Sequence, residues 1–229
     1  MNSGISWDYV GNTPLIKIES LSKLTGCHIL GKAEYLNPNF SVKDRAAKAI
    51  IQTAEKNGQL KSGYTIVEGT AGNTGIGLAA FGIPKGYKVI ISMPNNQSLE
   101  KYKTLEALGA ELRLVPPCPF ADQNHFYHQA RVISENTPQS FWANQFENTA
   151  NSLVHYQTTG PEIWADTDGK IDAFTCAAGT GGTIAGVSSY LKEKSEKNQV
   201  ICRYNAYFFI INLGRGSTRR PLPRQQTRR

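Results

Sequence analysis

Three short stretches combine residue types that handle carbonyls, carboxylates and phosphates. Residues 37–45 read NPNFSVKDR and set Lys43 in the first turn of a helical pattern. The helix dipole disfavours a cation there and should lower the pKa of the amine, and a neutral lysine amine attacks carbonyls. An ordinary surface lysine fits the same spacing. Residues 68–75 read EGTAGNTG, directly after a strand pattern and opening a helix. Thr70, Asn73, Thr74 and three glycines gather hydroxyl and N–H donors suited to a carboxylate, or else form a tight turn with a capping Asn or Thr. Residues 178–186 read AGTGGTIAG, again between strand and helix. Gly179, Thr180, Gly181, Gly182 and Thr183 suit a phosphate monoester held by backbone amides and hydroxyls, with a plain βα turn as the alternative. Ile184 occupies the third glycine position of a dinucleotide fingerprint, and no Gly-Lys-Ser/Thr follows, so neither dinucleotide motif nor P-loop is met.

These loops need a scaffold that ends strands and starts helices at one edge. Strand patterns rich in Val, Ile and Phe fall at 27–35, 65–68, 88–93, 111–115, 140–143 and 171–176. Helical patterns lie between them at 43–57, 73–81, 99–108, 121–135, 152–165 and 183–194. Ser41 is placed to cap the first of these, with Asp44 three residues on, and Gly109 to close the third. Strand, crossover helix, strand, repeated, predicts an α/β fold with parallel sheets covered on both faces. Ligands in such sheets sit beyond the carboxyl ends of the strands, where all three loops lie.

The remaining candidates carry less. His125 and His128 stand at helical i, i+3 spacing without an acidic or cysteine partner, which reads as exposed helix histidines rather than metal ligands. His28 and His155 are lone. Cys27, Cys118, Cys176 and Cys202 are scattered without a CxxC pair, which argues against a disulfide framework or structural zinc and for a reduced, cytoplasmic protein. No apolar run approaches the ~18 residues of a membrane span, and the first residues lack the pattern of a signal peptide.

The chain has 229 residues, 40% hydrophobic and 19% charged, which predicts a globular chain rather than a disordered one. Its net charge of +7 resides in residues 199–229, which hold seven arginines and no acid. Residues 1–198 carry 18 basic and 18 acidic residues and so lack a nucleic-acid footprint. The body favours lysine while the tail uses arginine alone. Three readings of 199–229 follow: a basic arm for RNA, a solvated terminus, or a segment read out of frame after about residue 198. Residues 207–213 read as a short strand that could patch a sheet edge.

Taken together, the motifs resemble the fold-type II pyridoxal-phosphate family, and most closely the cysteine synthases. They are Asn12-Thr13-Pro14-Leu15, Ser41-Val42-Lys43-Asp44-Arg45, residues 68–77, Trp142-Ala143-Asn144-Gln145-Phe146, residues 158–163 (TTGPEI) and Gly179-Thr180-Gly181-Gly182-Thr183. Their order and spacing match throughout residues 8–198. The resemblance implies a two-domain enzyme: residues 1–46 plus 148–198 as the larger, incomplete domain, residues 47–147 as the smaller, and 199–229 as an aberrant or disordered basic tail. It implies pyridoxal 5′-phosphate as cofactor, with Lys43 as the Schiff-base lysine and later proton-transfer base. Asn73 would bond the cofactor's phenolic oxygen, and Gly179, Thr180, Gly181, Gly182 and Thr183 would cup its phosphate. Thr70, Ala71, Thr74 and Gln145 would hold the substrate carboxylate, although Ala71 stands where many members have Ser. The implied reaction is β-replacement, giving L-cysteine from O-acetylserine and sulfide in a homodimer without nucleic-acid, membrane or metal partners. A cystathionine β-synthase-like enzyme or an inactive, non-catalytic pyridoxal-phosphate-binding remnant are the alternatives. Family members run longer than this chain, so the resemblance also implies weak activity or none for the chain as written.

Overall fold

A computed structural model describes residues 7–203 and 209–212. In chain order the elements are β1 (Leu15–Lys17), α1 (Glu19–Thr25), β2 (His28–Lys32), α2 (Lys43–Lys56), β3 (Thr65–Gly69), α3 (Asn73–Gly82), β4 (Lys88–Pro94), α4 (Leu99–Ala107), β5 (Glu111–Val115) and α5 (Phe126–Asn136). Then come β6 (Ser140–Trp142), α6 (Ala150–Val154), a π turn (His155–Thr159), α7 (Gly160–Asp166), β7 (Ala173–Ala177), α8 (Gly182–Lys194), β8 (Gln199–Arg203) and β9 (Phe209–Asn212).

One sheet has the order β5-β4-β3-β6 and is parallel throughout. All five residues of β3 are buried, as expected of a central parallel strand covered on both faces. Its side chains alternate accordingly. Ile66 and Ile91 pack with Ile50, Ile51 and Leu78 of α2 and α3, while Val67 and Ile90 face Ala130 of α5. Each such isoleucine contributes roughly 1.5–3 kcal/mol through burial. α2 and α3 approach closely because a Cβ at Gly77 would stand 2.8 Å from that of Ala47. That contact fixes Lys43, at the start of α2, against the loop that opens α3.

The second sheet has the order β1-β2-β9-β7-β8 and is mixed. Only β7 and β8 pair in parallel, and β9 lies antiparallel to both β2 and β7. Its core is Ile163, Ile171, Phe174, Cys176, Val187 and Leu191. The expected α/β fold with parallel sheets is met in the first sheet and in the β7–β8 pair, while β1 with β2, and β9 with β2 and β7, add antiparallel pairs.

Two pieces of the segment expected to be an aberrant tail are strands. Gln199–Arg203 continues the sheet beside β7, in register Phe174 with Val200 and Cys176 with Cys202. Phe209–Asn212 lies inside the sheet rather than patching its edge. The run Val200–Ile201 and the run at 209–211 supply the β-branched and aromatic residues that strands favour. Residues 204–208 and 213–229 lie outside the described residues.

Other boundaries moved for local reasons. The helix expected at 121–135 starts at Phe126, because Asp122 accepts the Asn124 N–H at 2.8 Å in a turn and the His125 ring caps Tyr127 N at 3.3 Å. The strand expected at 27–35 stops at Lys32, and Glu34–Leu36 turns as a 3-10 element. The helix expected at 152–165 runs through a π turn at His155–Thr159.

Candidate functional site

Lys43 is the first residue of α2, and its backbone N–H donates to Ser41 Oγ at 3.2 Å. The side chain is half-buried. Burial lowers the amine below the usual lysine range, and the negative charge of Glu68 opposes the shift. The dominant cause is thus desolvation rather than the helix end. Lys43 Nζ donates to Thr180 Oγ1 at 3.3 Å, which brings the first and third loops together.

The second loop sits at the end of β3. Thr70 and Thr74 are buried, while Ala71 and Asn73 are exposed. Thr74 Oγ1 donates to Gln145 Oε1 at 2.5 Å, and Gln145 Nε2 donates to the Gly69 carbonyl at 3.3 Å. Thr70 Oγ1 accepts from Gly72 N at 3.1 Å. Gly72 has φ +140° and lies against Lys101, whose ammonium donates to the Ala71 carbonyl at 3.2 Å. Thr74 and Gln145 therefore form a bonded pair, with Thr70 in the same loop as Thr74. Asn73 stands outside it, and among the described residues no bond joins its side chain to Lys43 or Thr180.

The third loop opens α8. A Cβ built on Gly179 or Gly181 meets nothing within 4 Å, so the loop edges an open cradle. Gly181 is left-handed at φ +82°. The side of Gly182, by contrast, is filled by the Asn151 amide. Thr180 Oγ1 accepts from Asn151 Nδ2 at 2.9 Å, and Thr183 Oγ1 lies 3.2 Å from His155 Nε2.

Four contributors were not singled out by the sequence pattern. Glu68 is 1% exposed, and its Oε2 accepts the Gln145 N–H at 3.3 Å. Burial pushes its carboxyl up to about 8, against the bonds from Gln145 and the charge of Lys43. A lone acid inside the apolar strand TIVEG was the available signal. His155, set aside as uninformative, is buried in the π turn with Nδ1 2.8 Å from Thr159 Oγ1. Burial, then the charges of Arg45 and Lys43, bring it down to about 3, so it is neutral. Asn151 joins two loops and carried no pattern. Arg45, 1% exposed, bonds Glu34 Oε2 at 2.8 Å and Glu162 Oε1 at 2.6 Å, anchoring the turn that carries Lys43. Burial alone would raise the Glu162 carboxyl, but Arg45 and Lys32 bring it down to about 2.

The histidine pair does other work. His125 caps α5, and His128 Nε2 lies 2.7 Å from the Phe120 carbonyl, its ring tilted on Phe120. Among the described residues no group of three or more His, Cys, Asp or Glu could hold a metal ion, and no helix is long and apolar enough to cross a membrane.

An open cradle of glycines and threonines at a helix start, with a buried amine beside it, matches the chemistry of an aldehyde carrying a phosphate. Residues 7–208 match the family model described as pyridoxal-phosphate dependent enzyme. Cysteine synthase 1 of Neurospora crassa is 57% identical over 186 residues, covering 81% of this chain and 50% of that protein. The cysteine synthase of Dictyostelium discoideum is 53% identical over 195 residues, covering 84% of this chain and 52% of that one. The crystal structure of O-ureido-L-serine synthase is similar with a TM-score of 0.78 at 34% identity, covering 86% of this chain and 61% of that chain. The chain spans about half the length of the curated relatives it matches.

Proposed function

The chain belongs to the pyridoxal-phosphate-dependent enzyme family, and from that premise we propose that its site serves β-replacement, forming L-cysteine from O-acetylserine and sulfide. The observation that carries this reading is the approach of Lys43 Nζ to Thr180 Oγ1 at 3.3 Å, beside the open edge at Gly179 and Gly181. The residues fit the cofactor. Lys43 would hold it covalently, Gly179, Thr180, Gly181, Gly182 and Thr183 would hold its phosphate, and Asn73 its phenolic oxygen. When bound, pyridoxal phosphate supplies the electron sink for charge developing at the α-carbon of an amino acid.

The chain's own residues supply the rest. Thr70, Ala71, Thr74 and Gln145 bind and orient the substrate carboxylate. The Lys43 amine takes and returns the α-proton at Nζ, and burial favours the neutral form that this requires. Glu68 keeps a compensating charge or proton in the same buried region. The reading divides the chain into a smaller domain at 47–147 and a larger one built from 1–46 plus 148–198, with the site between them. It extends to a homodimer, carried over from the resemblance, and to the cytoplasm.

The test is attachment of pyridoxal phosphate to the 229-residue chain, fixed by borohydride reduction and mapped by mass. The adduct is expected on Lys43 and absent from Lys43→Ala. An adduct that persists in that variant overturns the reading. Turnover of O-acetylserine with sulfide, set against serine with homocysteine, separates cysteine formation from the cystathionine β-synthase-like alternative.

A further inference from the structure

Asn151, near the start of α6, is 3% exposed. Its single amide nitrogen makes two bonds, to the Gln145 carbonyl at 2.9 Å and to Thr180 Oγ1 at 2.9 Å. A carbonyl can only accept, so the nitrogen assignment is chemically fixed, and Thr180 must accept from it too. Asn151 Oδ1 is buried without a partner and fills the space over Gly182. The amide thus stands between the loop that carries Gln145 and the loop that carries Thr180. A continuous chain of bonds runs from Lys43 to Thr180, Asn151, Gln145 and Glu68.

We propose that Asn151 is a positioning residue: by donating to Thr180 Oγ1 it leaves the threonine O–H free to donate to a phosphate oxygen, and by donating to the Gln145 carbonyl it fixes the phosphate loop against the carboxylate-binding loop. The inference rests on the reading of the 179–183 loop as a phosphate cradle. The chemistry follows from valence. A hydroxyl whose lone pairs face donors has its own proton to offer, and an anionic oxygen is the acceptor that such a proton serves best. Glycine at 182 is required because any side chain there would strike the Asn151 amide.

The test uses the full chain with Asn151→Ala and Asn151→Asp, each checked for native far-UV dichroism. Titration with pyridoxal phosphate should show about tenfold weaker binding in both variants, the scale of one or two lost hydrogen bonds. Pyridoxal, which lacks the phosphate, should bind as it does to the unaltered chain. In Asn151→Asp the loss should shrink as pH falls and the new carboxylate protonates, a profile that a merely structural role would not produce. Equal losses for both ligands, or none for either, overturn the proposal. A second arm needs no ligand: amide hydrogen exchange in Asn151→Ala should accelerate together at 143–146 and at 178–183. Faster exchange in one loop alone overturns the coupling. If the unaltered chain takes no pyridoxal phosphate at Lys43, the cofactor reading fails, and the exchange arm still decides the role of Asn151.

Discussion

The Lys43 amine and the Thr180 hydroxyl lie 3.3 Å apart although 137 positions separate them in the chain. The contact joins the helix that packs on the parallel sheet to the helix that packs on the mixed one. Neither residue could be placed beside the other by its neighbours in sequence. The meeting depends on α2 and α8 both starting at the site, each held by its own core.

The first prediction concerns the amine itself. Burial lowers Lys43, and Glu68 partly restores it, so Lys43 should be acylated at lower pH than an ordinary lysine amine. Removing the negative neighbour removes the restoring effect, and Glu68→Gln should move the Lys43 midpoint lower still. Peptide mass mapping across pH reads both shifts. A Lys43 midpoint at or above the ordinary lysine value, or indifferent to Glu68, would contradict the electrostatic account.

The second prediction follows Glu68 into stability. Its carboxyl ionises near 4.5 in an unfolded chain and near 8 in the fold. Between those values the unfolded chain has released the proton and the native one retains it. Stability should therefore fall as pH rises from about 4.5 to about 8 and level off above, by up to about 5 kcal/mol from this group. Glu68→Gln has no such proton to lose, so its urea midpoint should exceed that of the unaltered chain at pH 8 and approach it at pH 5. Parallel pH profiles for the two proteins would refute this.

The third prediction addresses the anchor behind Lys43. Arg45→Met leaves Glu34 without its buried counter-charge and Glu162 with Lys32 alone, a change that costs about 3–5 kcal/mol. Adding Glu34→Gln should recover part of that loss, since the uncompensated carboxylate is then gone. Urea unfolding of the single and double variants provides the comparison. A loss below about 1 kcal/mol for Arg45→Met would mean that the network contributes little.

Legibility from sequence divides along physical lines. Lys43, Thr180 and the glycines of both loops were readable because strand-to-helix turns repeat residue types that backbone donors require. The parallel sheet was readable from β3, β4 and their helices, whose apolar periods are long enough to register. β1 escaped notice because three residues carry no period, and the place of β9 inside the sheet because its partners β2 and β7 are far away in sequence. Asn151 and His155 were invisible for a different reason. Each matters through what it touches across loops, Thr180 for one and Thr183 for the other, and such contacts leave no local pattern. Glu68 was the intermediate case: its oddity in an apolar strand was visible, while its proximity to Lys43 was not.

The last prediction separates the cradle from the scaffold by two glycines of the same segment. At Gly179 a methyl group meets nothing within 4 Å, so Gly179→Ala should fold with unchanged stability. The added methyl would project into the open edge where the phosphate is proposed to sit, and affinity for pyridoxal phosphate should fall. At Gly186 the same methyl would strike the Ser152 carbonyl and lie 2.7 Å from His155 Cβ, in the π turn that packs on α8. Overpacking of that kind costs about 1–3 kcal/mol, so Gly186→Ala should lose stability first and ligand affinity only through it. Thermal unfolding without ligand, paired with pyridoxal-phosphate titration, distinguishes the two. If Gly179→Ala keeps full affinity, the phosphate does not lie against that glycine. If Gly186→Ala is as stable as the unaltered chain, α8 is free to shift away from the π turn, and the rigid placement of Thr183 by His155 fails with it.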